Sequence, residues 1–180
     1  SGVELLAGIP SVVYGFFGLV VIVPFVRLLG PGTGLSVLAA SLILGIMILP
    51  TVITVAQSAL DAVPSRYYEG ALALGVDHEH AVFKVVAPAA ASGIMAAIVL
   101  GLGRAIGETM AVVMVAGNMP IIPDSLLSGV RTMTANIVLE MGYAADLHRE
   151  ALIATGVVLF VFILLITMLL NVIRKRGEAR

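Results

Sequence analysis

The chain has 180 residues, of which 60% are hydrophobic and only 12% charged, with a net charge of −1 and no cysteine. A soluble domain carries roughly 45–50% apolar and about 25% charged residues, so a mean hydropathy of +1.13 places this chain in a membrane. The near-neutral charge offers no basic face to nucleic acid, and the lack of cysteine excludes disulfides, thiol nucleophiles and sulfur-ligated metals.

The chain opens on Ser1, and SGVELLAGIP has no basic residue ahead of its apolar run. A signal peptide is therefore not expected, and sequence upstream of Ser1 is expected to be missing. Crossing a bilayer takes about 20 mostly apolar residues, and four segments meet that demand. The first runs from about Ile9 to Val26 and contains Pro10, Gly18 and Pro24; the second, about Leu35 to Val55, is uncharged and contains Pro50. The third runs from about Ala87 to Ala116, and the fourth, from about Ala151 to Ile173, is the most uniformly apolar. Proline and glycine are tolerated in spans because neighbouring helices and polar side chains re-satisfy the freed backbone groups.

Beyond the last span lie Arg174, Lys175, Arg176 and Arg180, a basic cluster that predicts a cytoplasmic C-terminus. Counting back, residues 57–86 face the cytoplasm, and residues 29–34 and 118–150 face outward. The cytoplasmic segment adds no weight of its own, since Arg66 and Lys84 stand against four acids. In the outer segment, Pro120 and Pro123 break the chain early. Thr132–Met141 then reads as a short amphipathic helix, lying on the surface or dipping back into the bundle.

The cytoplasmic segment reads as two short helices joined at glycine. Pro64–Ser65 starts the first, with the Ser65 hydroxyl in place to cap a free N–H. Gly75 suits the left-handed residue that ends it, and Asp77 can cap a second helix that runs until Pro88 marks the entry to the third span. Such a unit either docks an apolar patch into a partner's groove or lies along the lipid headgroups.

The third span holds the most informative pair, Arg104 and Glu108. An ionised side chain at bilayer depth costs at least ~2.5–3.5 kcal/mol and usually faces a bundle interior or a pathway. At positions i and i+4 the two can pair along one helix face, which they share with Ala97, Gly101 and Ala111. Gly103 and Gly107 form a G-x-x-x-G on the neighbouring face, a helix-packing device.

The spacing from Glu69 to Pro88 is E-x-A, three residues, G, nine residues, then V-x-A-P. It resembles the EAA signature of ABC importer permeases, with Glu69, Ala71, Gly75 and Pro88 in register and Gly70 where that signature has alanine. Glycine there weakens a helix by about 1 kcal/mol relative to alanine. GLGRAIGETMAV (Gly101–Val112) and the following VAGN resemble the permeases of phosphate-specific importers, of the PstC type rather than its PstA-type partner. LLAGIPSVVYGFFGL (Leu5–Leu19) and TANIVLEMGYA (Thr134–Ala144) fit the same group.

The resemblance covers essentially the whole chain. It implies an all-α polytopic bundle of the type I, MetI-like importer class. Residues 1–180 would be the C-terminal part of a longer permease domain, and 57–88 its cytoplasmic coupling loop. It makes Glu69, Gly70, Ala71, Gly75 and Pro88 coupling residues; Arg104, Glu108 and Thr109 are expected on the substrate path from the charge pair itself. The implied partners are a PstA-type permease, a dimer of PstB-type ATPase subunits, a PstS-type phosphate-binding protein and the lipid bilayer. The setting is the cytoplasmic membrane of a prokaryote. This chain itself would be no enzyme and hold no cofactor, ATP and magnesium belonging to the ATPase.

Guanidinium suits phosphate through its planar fork of donors. Arg104 is therefore expected to provide a transient anion station, with Glu108 competing for the guanidinium so that the anion leaves again. Glu108 is alternatively a proton acceptor for a protonated phosphate, a proton sulfate lacks. Against both stands an ion pair that only holds the bundle together. Import of another oxyanion, such as sulfate or molybdate, and a non-transporting membrane scaffold or sensor remain the competing functions.

His78 and His80 are two apart and point to different helix faces, so Asp77–His80 reads as a solvated helix start rather than a metal cluster. His148 reads as a lone histidine on the outer side, Met110 and Met114 as packing. Tyr67 and Tyr68 read as interfacial anchors or as docking residues. Nothing matches a Walker A loop, and there is no nucleophile–base constellation.

Overall fold

The computed structural model describes residues 6–178. Eight helices lie wholly within the described residues: α1 (Ser11–Arg27), α2 (Val37–Asp61), α3 (Ser65–Ala73), α4 (His78–Ala89), α5 (Ala91–Gly107), α6 (Met110–Val115), α7 (Met133–Glu140) and α8 (Asp146–Glu178). α2 and α8 are each long and apolar enough to cross a bilayer, and α4 with α5 meets the same measure as a pair bent by 68°. α1, with its 17 residues, is about 25 Å long at 1.5 Å per residue,. The basic tail that carried the orientation, Arg174 to Arg180, lies outside the residues whose side chains are described.

Two of the helices widen before a proline. A π turn at Gly18–Ile22 precedes Pro24, and another at Val82–Val86 precedes Pro88. Proline lacks an N–H, and its ring presses on the carbonyl four residues back, here Val20 and Lys84. The wider turn relieves both problems. As a result Pro88 does not end the preceding helix as the sequence suggested. α4 runs on to Ala89, and the bend falls at Ala90, which is buried.

The N-terminus of α2 is closed off by protein. Ser36 Oγ accepts from Ala39 N at 3.2 Å. The N–H groups of Ser36, Val37 and Leu38 donate to the carbonyls of Val115, Ser128 and Leu126 at 3.0, 3.0 and 2.8 Å. A helix leaves its first four N–H groups without internal partners; here carbonyls of residues 115–128 accept from three of them and Ser36 Oγ from the fourth. The positive end of the α2 dipole is thus sealed and offers nothing to an anion.

The core lies around this seal. Val23 and Val26 of α1, Ala39, Ala40 and Ile43 of α2, and Ala111, Val112 and Val115 of α6 pack into one buried cluster. The rest of α2 lies along α5, and α8 packs on α5 and α7. α8 turns large side chains such as Phe160, Phe162, Leu165 and Met168 outward, more than half exposed. A surface of this kind is stable in lipid or against another apolar face. Because lipid tails are as apolar as leucine, close packing rather than burial must hold the spans together.

Candidate functional site at a helix break

The third span is not continuous. α5 ends at Gly107, Glu108 turns extended (φ −67°, ψ 131°), and α6 begins only at Met110. This corrects the expectation that Arg104 and Glu108 pair along one helix face. Among the described residues no ion pair joins them. Arg104 Nη1 instead donates to Thr51 Oγ1 of α2 at 3.0 Å. Glu108 Oε1 accepts from Ala111 N at 3.1 Å, satisfying one of the free N–H groups at the start of α6. A carboxylate there also complements the positive helix end.

Thr109 donates its hydroxyl to Gly107 O at 3.2 Å, and so fixes the break itself. Thr134 of α7 closes on the same point, donating to Glu108 O at 3.3 Å. Glu108 is held by its side chain from α6 and by its carbonyl from α7. The break opens onto a cavity of about 240 Å³ between α2, α5 and α7. Ser41, Leu44, Ala105, Glu108, Thr132 and Thr134 are among its walls, so Glu108 is the charged group of an otherwise apolar and hydroxyl-bearing chamber. Leu44 and Thr51 lie seven residues apart on α2, two turns along one face. The Arg104–Thr51 contact is therefore about 10 Å further along that helix. The two charges sit in sequence along α2 rather than side by side.

The small-residue contact between α2 and α5 also differs from the sequence reading. Added Cβ atoms at Gly103 and Gly107 would meet nothing within 4 Å, whereas one at Gly101 would sit 2.5 Å from Val52 Cγ2 and one at Gly93 2.4 Å from Ala59 Cβ. Gly93, Ala97 and Gly101 make the close face, and Arg104 continues it.

Residues 116–145 form a cap that sequence reasoning left largely unresolved. Gly117 and Asn118 have positive φ (85° and 51°) and turn the chain so that Val130 N reaches Ala116 O at 2.9 Å. Arg131 Nε donates to Asn118 O at 2.9 Å, and its Nη1 meets Glu140 Oε1 at 2.6 Å. His148 Nε2 stands 3.6 Å from the other oxygen of Glu140, so this histidine is paired rather than isolated. The Tyr143 hydroxyl, with Arg131 and His148 adding and burial opposing, holds the Glu140 carboxyl below its ordinary range. Thr132 precedes α7 and caps it, its Oγ1 accepting from Ala135 N at 3.2 Å. The first turn of α7, with Thr134 and Ala135 buried, packs into the bundle rather than lying flat. A charged Arg and Glu nine residues apart were visible in the sequence, but nothing local shows that a turn brings them together.

At the opposite end of α2, the segment joining α2 to α5 folds as the two expected short helices. Gly75 takes φ +83° after the last turn of α3, and Asp77 Oδ1 accepts from His80 N at 3.3 Å. The Ser65 hydroxyl makes no capping bond; Pro64 occupies that position. Glu69, Gly70 and Pro88 are exposed, whereas Ala71 of α3 and Ala81 of α4 are buried. His78 Nδ1 bonds the Tyr68 hydroxyl at 2.7 Å and His80 Nδ1 bonds Asp77 at 2.6 Å, so the two rings have separate partners. Leu74 and Phe83 are 85% and 72% exposed.

Residues 2–178 match the family described as "Binding-protein-dependent transport system inner membrane component". The chain is 41% identical over 179 residues to "Probable ABC transporter permease protein YqgH" of Bacillus subtilis, covering 98% of this chain and 58% of that protein. It is 38% identical over 199 residues to "Phosphate transport system permease protein PstC" of Mesorhizobium japonicum, covering 99% and 61%. Against the protein of the same name from Xylella fastidiosa it is 36% identical over 203 residues, covering 99% and 63%. No solved structure matches it. The chain belongs to this inner-membrane permease family of ABC transporters. It spans roughly three fifths of the length of these curated relatives.

Proposed function

We propose that the chain contributes to the translocation path of an ATP-driven importer of inorganic phosphate. The observation that carries this reading is the helix break, which puts Glu108 at a chamber between three helices with Arg104 two turns further along α2. Broken helices inside bundles mark substrate sites in transporters because backbone groups and charges can meet there without facing lipid. The relatives named as phosphate transport permeases favour phosphate as cargo.

In this reading Arg104 holds the anion briefly, since among the described residues one of its five donors is engaged, by Thr51,. Glu108, fixed at the break, repels an anion that lingers and keeps residence short, as conduction demands. Thr109 shapes the break. The segment 57–88 carries Glu69, Gly70, Ala71, Gly75 and Pro88 and presents Phe83 and Leu74 to a cytoplasmic ATPase of the PstB type, which alone binds ATP and magnesium. Because that segment joins α2 to α5, pushing on it shears the two helices that hold Arg104. A PstA-type permease completes the path, a PstS-type protein delivers phosphate from outside, and the C-terminus faces the cytoplasm.

The test is uptake of radiolabelled phosphate by cells whose only phosphate importer carries the full-length permease. Arg104→Gln abolishes uptake at normal membrane abundance, and excess sulfate leaves wild-type uptake unchanged. Normal uptake by the variant removes Arg104 from the path, and strong inhibition by sulfate removes phosphate as the specific cargo.

A further inference from the structure

Thr51 carries no motif, yet it is the residue that holds the Arg104 guanidinium, accepting from Nη1 at 3.0 Å across the α2–α5 boundary. Hydroxyls inside helices commonly donate to the carbonyl four residues back. Thr54 does so to Pro50 O and Ser58 to Thr54 O, each at 2.9 Å. Among the described residues Thr51 makes no such bond, so its lone pair serves Arg104 while its O–H stays uncommitted. The reach depends on the close helix approach: with an alanine at Gly101 the Cβ would collide with Val52, the neighbour of Thr51.

We propose that Thr51 is the positioning residue of the anion station. It fixes the plane of the guanidinium so that the remaining N–H fork meets two oxygens of a tetrahedral oxyanion, and its own O–H is left to donate to the same anion. An arginine anchored at one nitrogen has less side-chain freedom to lose when the anion arrives, and the planar fork is specific only when its plane is set. This rests on the reading of Arg104 as an anion site.

The experiment is initial-rate uptake of radiolabelled phosphate by the assembled transporter containing the full-length permease, with membrane abundance measured in parallel. Thr51→Val keeps the shape of the side chain and removes its hydroxyl. One hydrogen bond to a charged group corresponds to a KM increase of about tenfold or more, with the maximal rate largely kept. Thr51→Ser restores a KM within about twofold of wild type, which a merely packing role would not produce. Thr51→Ala gives the same rise in KM and serves if valine lowers abundance. An unchanged KM in the valine or alanine variant at normal abundance overturns the assignment. Arg104→Gln separates the two failures. If it abolishes uptake while Thr51→Val leaves KM unchanged, only Thr51 loses its role; if it transports normally, the anion site and its positioning residue fall together.

Discussion

Glu108 serves two roles that substitution can separate. Its Oε1 caps Ala111 N, and its charge lies at the wall of the chamber. Glu108→Gln keeps a carbonyl oxygen for the cap and removes the charge; Glu108→Ala removes both. Loss of a side-chain cap costs about 1 kcal/mol, within a range of about 0.5–2. Loss of a carboxylate at a helix N-terminus costs a further ~0.3–1 kcal/mol. α6 has only six residues, three of them in the buried core, so fraying at its start loosens Val112 and Val115 directly. The alanine variant is therefore expected to be less stable by about 1–2 kcal/mol, and the glutamine variant by no more than about 0.5–1. Thermal unfolding of the purified permease complex in detergent ranks the two, and phosphate uptake reads the charge. We expect the glutamine variant to assemble at wild-type level yet transport at least about tenfold more slowly, the cost of losing ~1.4 kcal/mol of barrier control. Wild-type transport by the glutamine variant would refute the pathway role and leave Glu108 as a cap alone. Equal stability of the alanine variant and wild type would refute the capping argument.

Three further outcomes follow from particular contacts. Gly70 lies inside α3 with open space where a Cβ would go, so Gly70→Ala should raise stability by about 0.5–1 kcal/mol, seen as a higher unfolding midpoint. Gly101→Val should cost about 1–3 kcal/mol by forcing α2 and α5 apart, and should lower uptake by parting Thr51 from Arg104; a variant with normal stability would mean the close approach is not needed. In the cap, Glu140 titrates below its ordinary range. The order it confers is therefore fully present above the unfolded carboxylate value, about 4.3, and is lost as pH falls through the lowered folded value. Hydrogen exchange across residues 116–145 between pH 6 and pH 3 should show protection lost at the acid end, and Glu140→Gln should remove that dependence.

Much of the architecture was legible in composition and in local residue chemistry. The apolar runs of α2 and α8 are long enough to state spans outright, because lipid demands an unbroken apolar stretch. Gly75 and Asp77 announce the joint between α3 and α4, since a left-handed residue and a side-chain cap are requirements met within a few positions. The break at Glu108 was not legible. The run from Ala87 to Ala116 is apolar on both sides of the break, the dip at Arg104 and Glu108 is equally compatible with a charged face on an unbroken helix, and Gly107 on its own is an ordinary residue of a membrane helix.

What divides the two kinds of knowledge is the distance over which the deciding bonds act. From its own order of residues this chain determines that it lives in a membrane, where its longest helices run, and that a charged pair sits among them. Only the tertiary structure decides what that pair does, because its partners come from elsewhere: Thr51 for Arg104 from α2, and Thr134 for the Glu108 carbonyl from α7. A helix-face argument assigns neighbours three and four residues away. It loses its footing where the helix stops, and one of the hydrogen bonds that hold the stop reaches 26 positions along the chain.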